Sequence, residues 1–298
     1  MNLESFSILE LPPEIILHVF KNYSYERSLD IGITCKNLNK LIEQNRNSLP
    51  SKNIYHIDLE RRRVRAWRDF SWCDRIPFRS LEYISKFFCN VNIKVLTVNK
   101  LDEELCAFLI EKAQKNALRF EQLRLFHSFS ASHKSICHLL QVAKCRAINF
   151  EAVESNIKPE CLSMKGYQGL DAICFEMDDS IEEDLFDSVI HVSKARKFIF
   201  QACDKIPQGF VRNMFKAWLD GSREFDAVRI TTNQNFSFDN IIEGFNIQQL
   251  DNSVWKMKNV NGDQATITMR RNNFHFFVAF EVNEHRVEDI LYKIPFIE

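Results

Sequence analysis

Short runs rich in β-branched and aromatic residues return along this chain at a nearly fixed interval, and that interval limits the fold more than any other feature. IKVLTV (93–98), QLRLFH (122–127), RAINF (146–150), DAICFE (171–176), RKFIFQ (196–201) and DAVRIT (226–231) have central residues Val95, Leu123, Ile148, Ile173, Phe198 and Val228. These lie 28, 25, 25, 25 and 30 residues apart. A strand that returns every 25–30 residues is the mark of a stacked repeat. Between the runs lie segments with helical period: Leu105, Phe108 and Leu109; Ile136, Leu139, Leu140 and Ala143; Ile181, Leu185, Val189 and Val192; Phe210, Met214, Phe215 and Trp218. Ser180 with Glu183 forms a capping box at the head of the third. Strand and helix alternating at this period predict parallel strands on one face and helices on the other, a degenerate leucine-rich-repeat-like solenoid.

Two ends of the chain break the period. WKMKNVNGDQATITMRRNNFHFFVAFEV (255–282) reads as strand, turn, strand, turn, strand, with Asn261-Gly262 as the hairpin signal because that turn needs positive φ. A three-stranded antiparallel meander is expected there. At the other end, LPPEIILHVF (11–20) opens with Pro13, suited to a first helical turn, where its missing N–H has no intrahelical partner. Ile15, Ile16, Val19, Phe20 and Tyr23 then form one apolar stripe, and Ile31, Cys35, Leu38 and Ile42 form a second. Two short helices carry more apolar face than they can hide between them, so the rest of the chain or a partner must cover it. The expected organisation is a helical unit at 1–50, the strand and helix region at 51–250 and β hairpins at 251–298.

The segment LPPEIILHVFKNYSYERSLDIGITCKNLNKLI resembles an F-box through Leu11, Pro12, Glu14, Ile15, Val19, Phe20, Leu29, Cys35, Lys36, Leu38 and Leu41. The meander, with its Asn-Gly-Asp turn, Ala-Thr-Ile and Phe-rich last strand, resembles the end of the type 2 F-box associated domain of nematode F-box proteins. The resemblance implies a receptor subunit of an SCF-type ubiquitin ligase. It would bind a Skp-type adaptor, and through it a cullin scaffold, by a helix-in-groove mode. The contacts it implies are Leu11, Pro12, Ile15, Ile16, Val19, Phe20, Leu29 and Cys35. The C-terminal region would capture the target protein, with Trp255, Phe274 and Phe276 as candidate contacts. Such a subunit needs no catalytic centre and no cofactor of its own. The alternative is an interaction scaffold outside any ligase.

The remaining chemistry-bearing groups point the same way. No GxSxG elbow, Walker loop or GxGxxG follows a strand, and GYQG (166–169) is expected as a turn. Asp178, Asp179, Glu182, Glu183 and Asp184 lack the spacing of a calcium loop and suit a solvated helix start. His127, His133, Cys137, His138 and Cys145 crowd one region without paired zinc-ligand spacing, which favours core cysteines and surface histidines. Nine cysteines without a CxxC pair fit reduced thiols. MNLESFSILE lacks a leader pattern and no apolar run approaches the roughly 18 residues of a membrane span, so a cytoplasmic or nuclear site is expected. Net charge of −1 offers no global attraction to nucleic acid. Locally, RRRVRAWRDFSW (61–72) combines five arginines with Trp67, Phe70 and Trp72, a mix used by single-stranded nucleic-acid sites. An RNA contact through 61–68 is therefore the rival reading, although Glu60, Asp69 and Asp74 interleave and favour a charged connection between structured regions.

Overall fold

The computed structural model describes residues 11–22, 35–45, 49, 51–60, 63–67, 73–77, 81, 88, 90–151, 170–176, 190–191, 193–201, 206–233, 237–271 and 276–283. They form a mixed α/β structure: one open 13-stranded sheet and, among the described residues, six helices. The middle of the sheet is parallel. Strands β1 (Lys52–Glu60), β4 (Val91–Leu101), β5 (Leu118–Phe129), β6 (Ala147–Glu151), β7 (Ala172–Glu176), β8 (Lys197–Gln201) and β9 (Ala227–Thr232) lie side by side in that order. Leu123, Ile148, Ile173, Phe198 and Val228 stand in direct register, as the spacing predicts. At the first repeat the partner of Leu123 is Leu96, one residue beyond Val95.

Helices α3 (Glu103–Gln114), α4 (His133–Ala143) and α5 (Gln208–Leu219) occupy crossovers between parallel strands. Right-handed crossovers that always advance in one direction put their helices on one face of the sheet. Asp102 caps α3 by accepting from the Leu105 amide at 2.9 Å, and Ser132 caps α4 by accepting from Ser135 at 3.2 Å. Glu103 of α3 also accepts from the Ser132 amide at 2.5 Å, tying the two helix starts together. The segment carrying Ile181, Leu185, Val189 and Val192, with its capping box, lies outside the described residues.

Several of the phenylalanines form one aromatic file on the helix-covered face. Phe150 stacks on Phe175 at 5.6 Å and Phe175 on Phe200 at 5.2 Å, each from the equivalent position of the next strand. Phe210 of α5 meets Phe200 edge-on at 5.4 Å, while Phe215 and Trp218 close on Phe280 at 5.5 and 5.2 Å. In-register repeats place like side chains over like, so one aromatic per repeat builds a continuous core.

Antiparallel strands finish both ends of the sheet. At the C-terminal end, β10 (Ile247–Asp251), β11 (Val254–Lys258), β12 (Gln264–Arg271) and β13 (Phe276–Val282) form the meander, and β13 docks antiparallel on β9. The meander has four strands where three were expected, because β10 adds an edge strand, and the hydrogen-bonded sheet continues across residue 250. Gly262 sits at φ 93° in the expected turn. Short helix α6 (Phe238–Ile242) precedes β10. At the other end, β2 (Arg63–Trp67) pairs with β1 and β3 (Cys73–Pro77) pairs with β2. Residues 63–67 of the arginine-rich stretch are thus not a connection but a β strand, with Val64 and Ala66 buried in the core.

The N-terminal hairpin keeps its own core. In α1 (Pro13–Phe20) and α2 (Lys36–Gln44), Ile16, Phe20, Leu38 and Ile42 cluster with Leu49, separate from the cluster that begins at Ile54 and runs through the sheet. Asn90, in the left-handed region at φ 54°, helps join the two parts. Its side-chain amide donates to the Leu49 carbonyl at 2.5 Å, its side-chain oxygen accepts from Ser51 at 2.8 Å, and its carbonyl accepts from the Lys52 amide at 2.9 Å.

Candidate functional site

The apolar stripe of α1 divides into two sides. Ile16 is 4% exposed and Phe20 fully buried, both facing α2, whereas Ile15 is 49% exposed, Pro12 is exposed and Val19 half-buried. Ile16 and Phe20 therefore cannot be surface contacts of a partner: they are the hairpin's core. The side open to a partner is narrower than the stripe suggests and consists of Pro12, Ile15 and Val19, with Leu11 half-buried at its start. Cys35 caps α2 in extended conformation and packs against the cluster. Leu29 lies outside the described residues.

The face of the sheet opposite the helices carries a polar file. Asp58, Thr97, Arg124, Asn149, Cys174, Ile199 and Arg229 stand in line across seven parallel strands. Arg124 pairs with Glu151 and lies 3.8 Å from Glu176, and the Asn149 amide donates to Glu176 at 3.1 Å. Arg65 of β2 pairs with Glu60 and, at 3.0 Å, with Asp58; its guanidinium also lies 5.7 Å from the Trp67 ring. A cation held by two carboxylates and a ring is a poor phosphate anchor, and this weighs against the nucleic-acid reading of that strand. Arg61, Arg62, Arg68, Phe70 and Trp72 lie outside the described residues.

His56 is buried beside this file. Its ring stacks on Trp67, and one ring nitrogen lies 2.9 Å from the Thr97 hydroxyl. Burial, reinforced by the charges of Arg124 and Arg65, pushes its pKa down to about 3, so the imidazole is neutral. A neutral histidine held this way serves packing, with no proton to exchange near neutral pH.

Toward the C-terminal end the same face opens to solvent. Ile199, Arg229, Phe277, Thr268 and Val254 are half-buried there, and Arg229 lies 5.1 Å above the Phe277 ring. Trp255, expected to contact a target, points the other way. It is 6% exposed and belongs to the core with Met257 and Ile267, because strand alternation sends it to the helix-covered face. Phe274 lies outside the described residues; the Phe276 backbone pairs with Thr232 and Arg271. Phe277, which the sequence reading passed over, is the aromatic that this face presents.

The groups once considered for a metal do not converge. Among the described residues no cluster of three or more His, Cys, Asp or Glu side chains could hold a metal ion. Cys145 donates to the Ala147 carbonyl at 3.1 Å, and burial holds its thiol near a pKa of about 12. Burial raises the Cys137 thiol as well. Thiols so protonated are weak nucleophiles and weak ligands. Cys35, Cys106, Cys137, Cys145 and Cys174 are free thiols. Asp178, Asp179, Glu182, Glu183, Asp184 and the GYQG turn lie outside the described residues. No helix among the described residues is long and apolar enough to cross a membrane.

Comparison with protein-family models, with curated proteins and with solved structures found no match to this chain.

Proposed function

We propose that the chain is the target-recognition subunit of an SCF-type ubiquitin ligase, non-catalytic in itself. The F-box resemblance of residues 11–42 is the starting point of this reading. The observation that carries it is the exposed side of α1: Ile15, flanked by Pro12 and Val19, on a hairpin whose core is separate from that of the sheet. An exposed β-branched residue on a short, independently packed hairpin suits docking into the groove of a partner, here a Skp-type adaptor that bridges to a cullin.

In this reading the sheet is a degenerate leucine-rich-repeat-like solenoid, and the face opposite the described helices, around Arg229 and Phe277, presents the target protein to the ligase. A guanidinium over an aromatic ring, with Ile199, Thr268 and Val254 half-buried on the same face, is the composition that protein interfaces favour. The chemistry of transfer belongs to a conjugating enzyme brought near by the scaffold. Assembly with the scaffold places the chain in the cytoplasm or nucleus.

The test is amide hydrogen exchange on the full chain with and without a Skp-type adaptor. Slowed exchange over residues 13–20, with the sheet unchanged, supports the ligase reading. Unchanged exchange at α1 at saturating adaptor leaves the scaffold reading in its place.

A further inference from the structure

Strand register fixes what the sheet carries at its C-terminal end, on the face opposite the described helices. One lateral row crosses five strands through Ile199, Arg229, Ala279, Thr268 and Val254, each the register partner of the next. On one side of this row lie Phe277 and Arg270; on the other lie Lys197, Glu281 and Lys256. Residues two apart on a strand project from the same face, so these rows and Lys258 form one surface.

Apolar and cationic groups therefore stand together. Phe277, Ile199 and Val254 are half-buried, and Arg229 lies 5.1 Å from the Phe277 ring. Lys256, Lys258 and Arg270 are exposed and Lys197 is half-buried; none of these four forms an ion pair with a described residue. Against these cations and Arg229, the described residues of β8, β9, β11, β12 and β13 set a single carboxylate on this face, that of Glu281. Asp251, at the edge on β10, turns its carboxylate to the Ser253 amide at 2.7 Å. Farther along the sheet the same face neutralises itself, for there Arg124 is held by Glu151. The net charge of the chain is −1, so the positive excess is local.

We propose that this face takes an acidic segment of the target protein, with an apolar side chain set against Phe277 and carboxylates meeting Lys197, Arg229, Lys256 and Arg270. A local excess of positive charge around apolar contact points selects a partner of opposite charge and orients it. Ala279 and Thr268, the short residues in the middle of the face, let a chain laid across the strands approach the sheet. All five strands are paired on both sides, so no backbone edge is offered and recognition runs through side chains. A nucleic-acid strand fits less well, because its bases need rings to stack on. Phe277 is the single aromatic among the described residues of these five strands on this face, and Arg229 already lies over it. The proposal rests on the reading of this face as the target surface and adds the chemistry of what it holds.

The test is calorimetric titration of the full chain, at low salt, with the peptide Gly-Glu-Glu-Leu-Glu-Glu-Gly, with its lysine counterpart and with a short oligothymidylate. The expected result is saturable binding of the acidic peptide alone, weakened about tenfold or more by Lys256→Glu with Arg270→Glu. The same charge change at Lys134→Glu with Lys216→Glu, exposed on α4 and α5, leaves binding intact. No binding of the acidic peptide overturns the proposal. Equal loss in both double variants does so too, since the attraction would then be the charge of the whole molecule. Equal binding when glycine replaces the leucine of the peptide removes the apolar contact and overturns it as well. Preference for oligothymidylate overturns it in favour of a nucleic-acid surface. Adaptor binding, measured on the same chains, reads the ligase role at α1. A chain that binds adaptor but no peptide defeats this proposal alone, and one that binds peptide but no adaptor defeats the ligase reading alone.

Discussion

His56 lies flat on Trp67, the two rings 4.5 Å apart and 9° from parallel, at the junction of β1 with the antiparallel strand β2. The contact is possible because the imidazole stays uncharged, and this makes it sensitive to acid. The ordinary histidine value is 6.5, and in the fold it falls to about 3. Between these values the unfolded chain takes up a proton that native His56 refuses. The stabilisation present above pH 6.5 is therefore lost as pH falls toward 3, at up to about 1.4 kcal/mol per pH unit. Thermal unfolding followed from pH 7 to pH 4 is expected to show this slope, shallower by about one proton in His56→Phe, which keeps the stack. An unchanged slope in that variant would place the acid sensitivity elsewhere.

Arg124 links this junction to the polar file. It holds Glu151 and approaches Glu176, and its charge is the second cause of the low His56 value after burial. Arg124→Leu removes the cation and leaves two partly buried carboxylates facing each other. The expected cost is about 1–3 kcal/mol, below that of a fully buried pair because water still reaches the glutamates. The His56 titration, read by NMR, is expected to move up in the same variant. A rise in stability would show that the file contributes specificity at the expense of stability.

The aromatic file predicts the most sensitive core position. Phe175 is fully buried between Phe150 and Phe200. Phe175→Ala opens a gap that two stacked neighbours cannot close, at about 3–5 kcal/mol, whereas Phe175→Leu is expected to cost less. Urea unfolding with an unchanged slope and a lower midpoint checks it. A small effect would mean that the sheet can slide to close the gap.

Much of the parallel sheet was legible in advance because repetition reports itself: equal spacing from Leu123 to Phe198 becomes equal register. The offset at Leu96 arose where the spacing was irregular, and β5 carries a register shift against β4 after Val98. The strand at 63–67 reads as a charged connection in sequence because its arginines obscure the alternation of Val64 and Ala66, the buried residues of β2. The same rule misplaced Trp255: its neighbours Val254 and Lys256 show that alternate residues face the other way. On α1 the stripe suggests one continuous surface, but a helix packed on one neighbour buries one side, Ile16 and Phe20, and leaves Ile15. The polar file was out of reach, since Arg124 meets Glu151 and Glu176 only through register across three strands.

The central claim is that Ile15 and Val19 form the docking edge for an adaptor. It is tested most directly by calorimetric titration of the full chain with a purified Skp-type adaptor, beside Ile15→Asp with Val19→Asp. These two sites lie off the buried hairpin core, so the variant is expected to unfold at nearly the native temperature. The account predicts stoichiometric binding by the native chain, weakened by about a hundredfold or more in the variant as two charges enter an apolar groove. Absence of binding by the native chain, or equal binding by both, would contradict it.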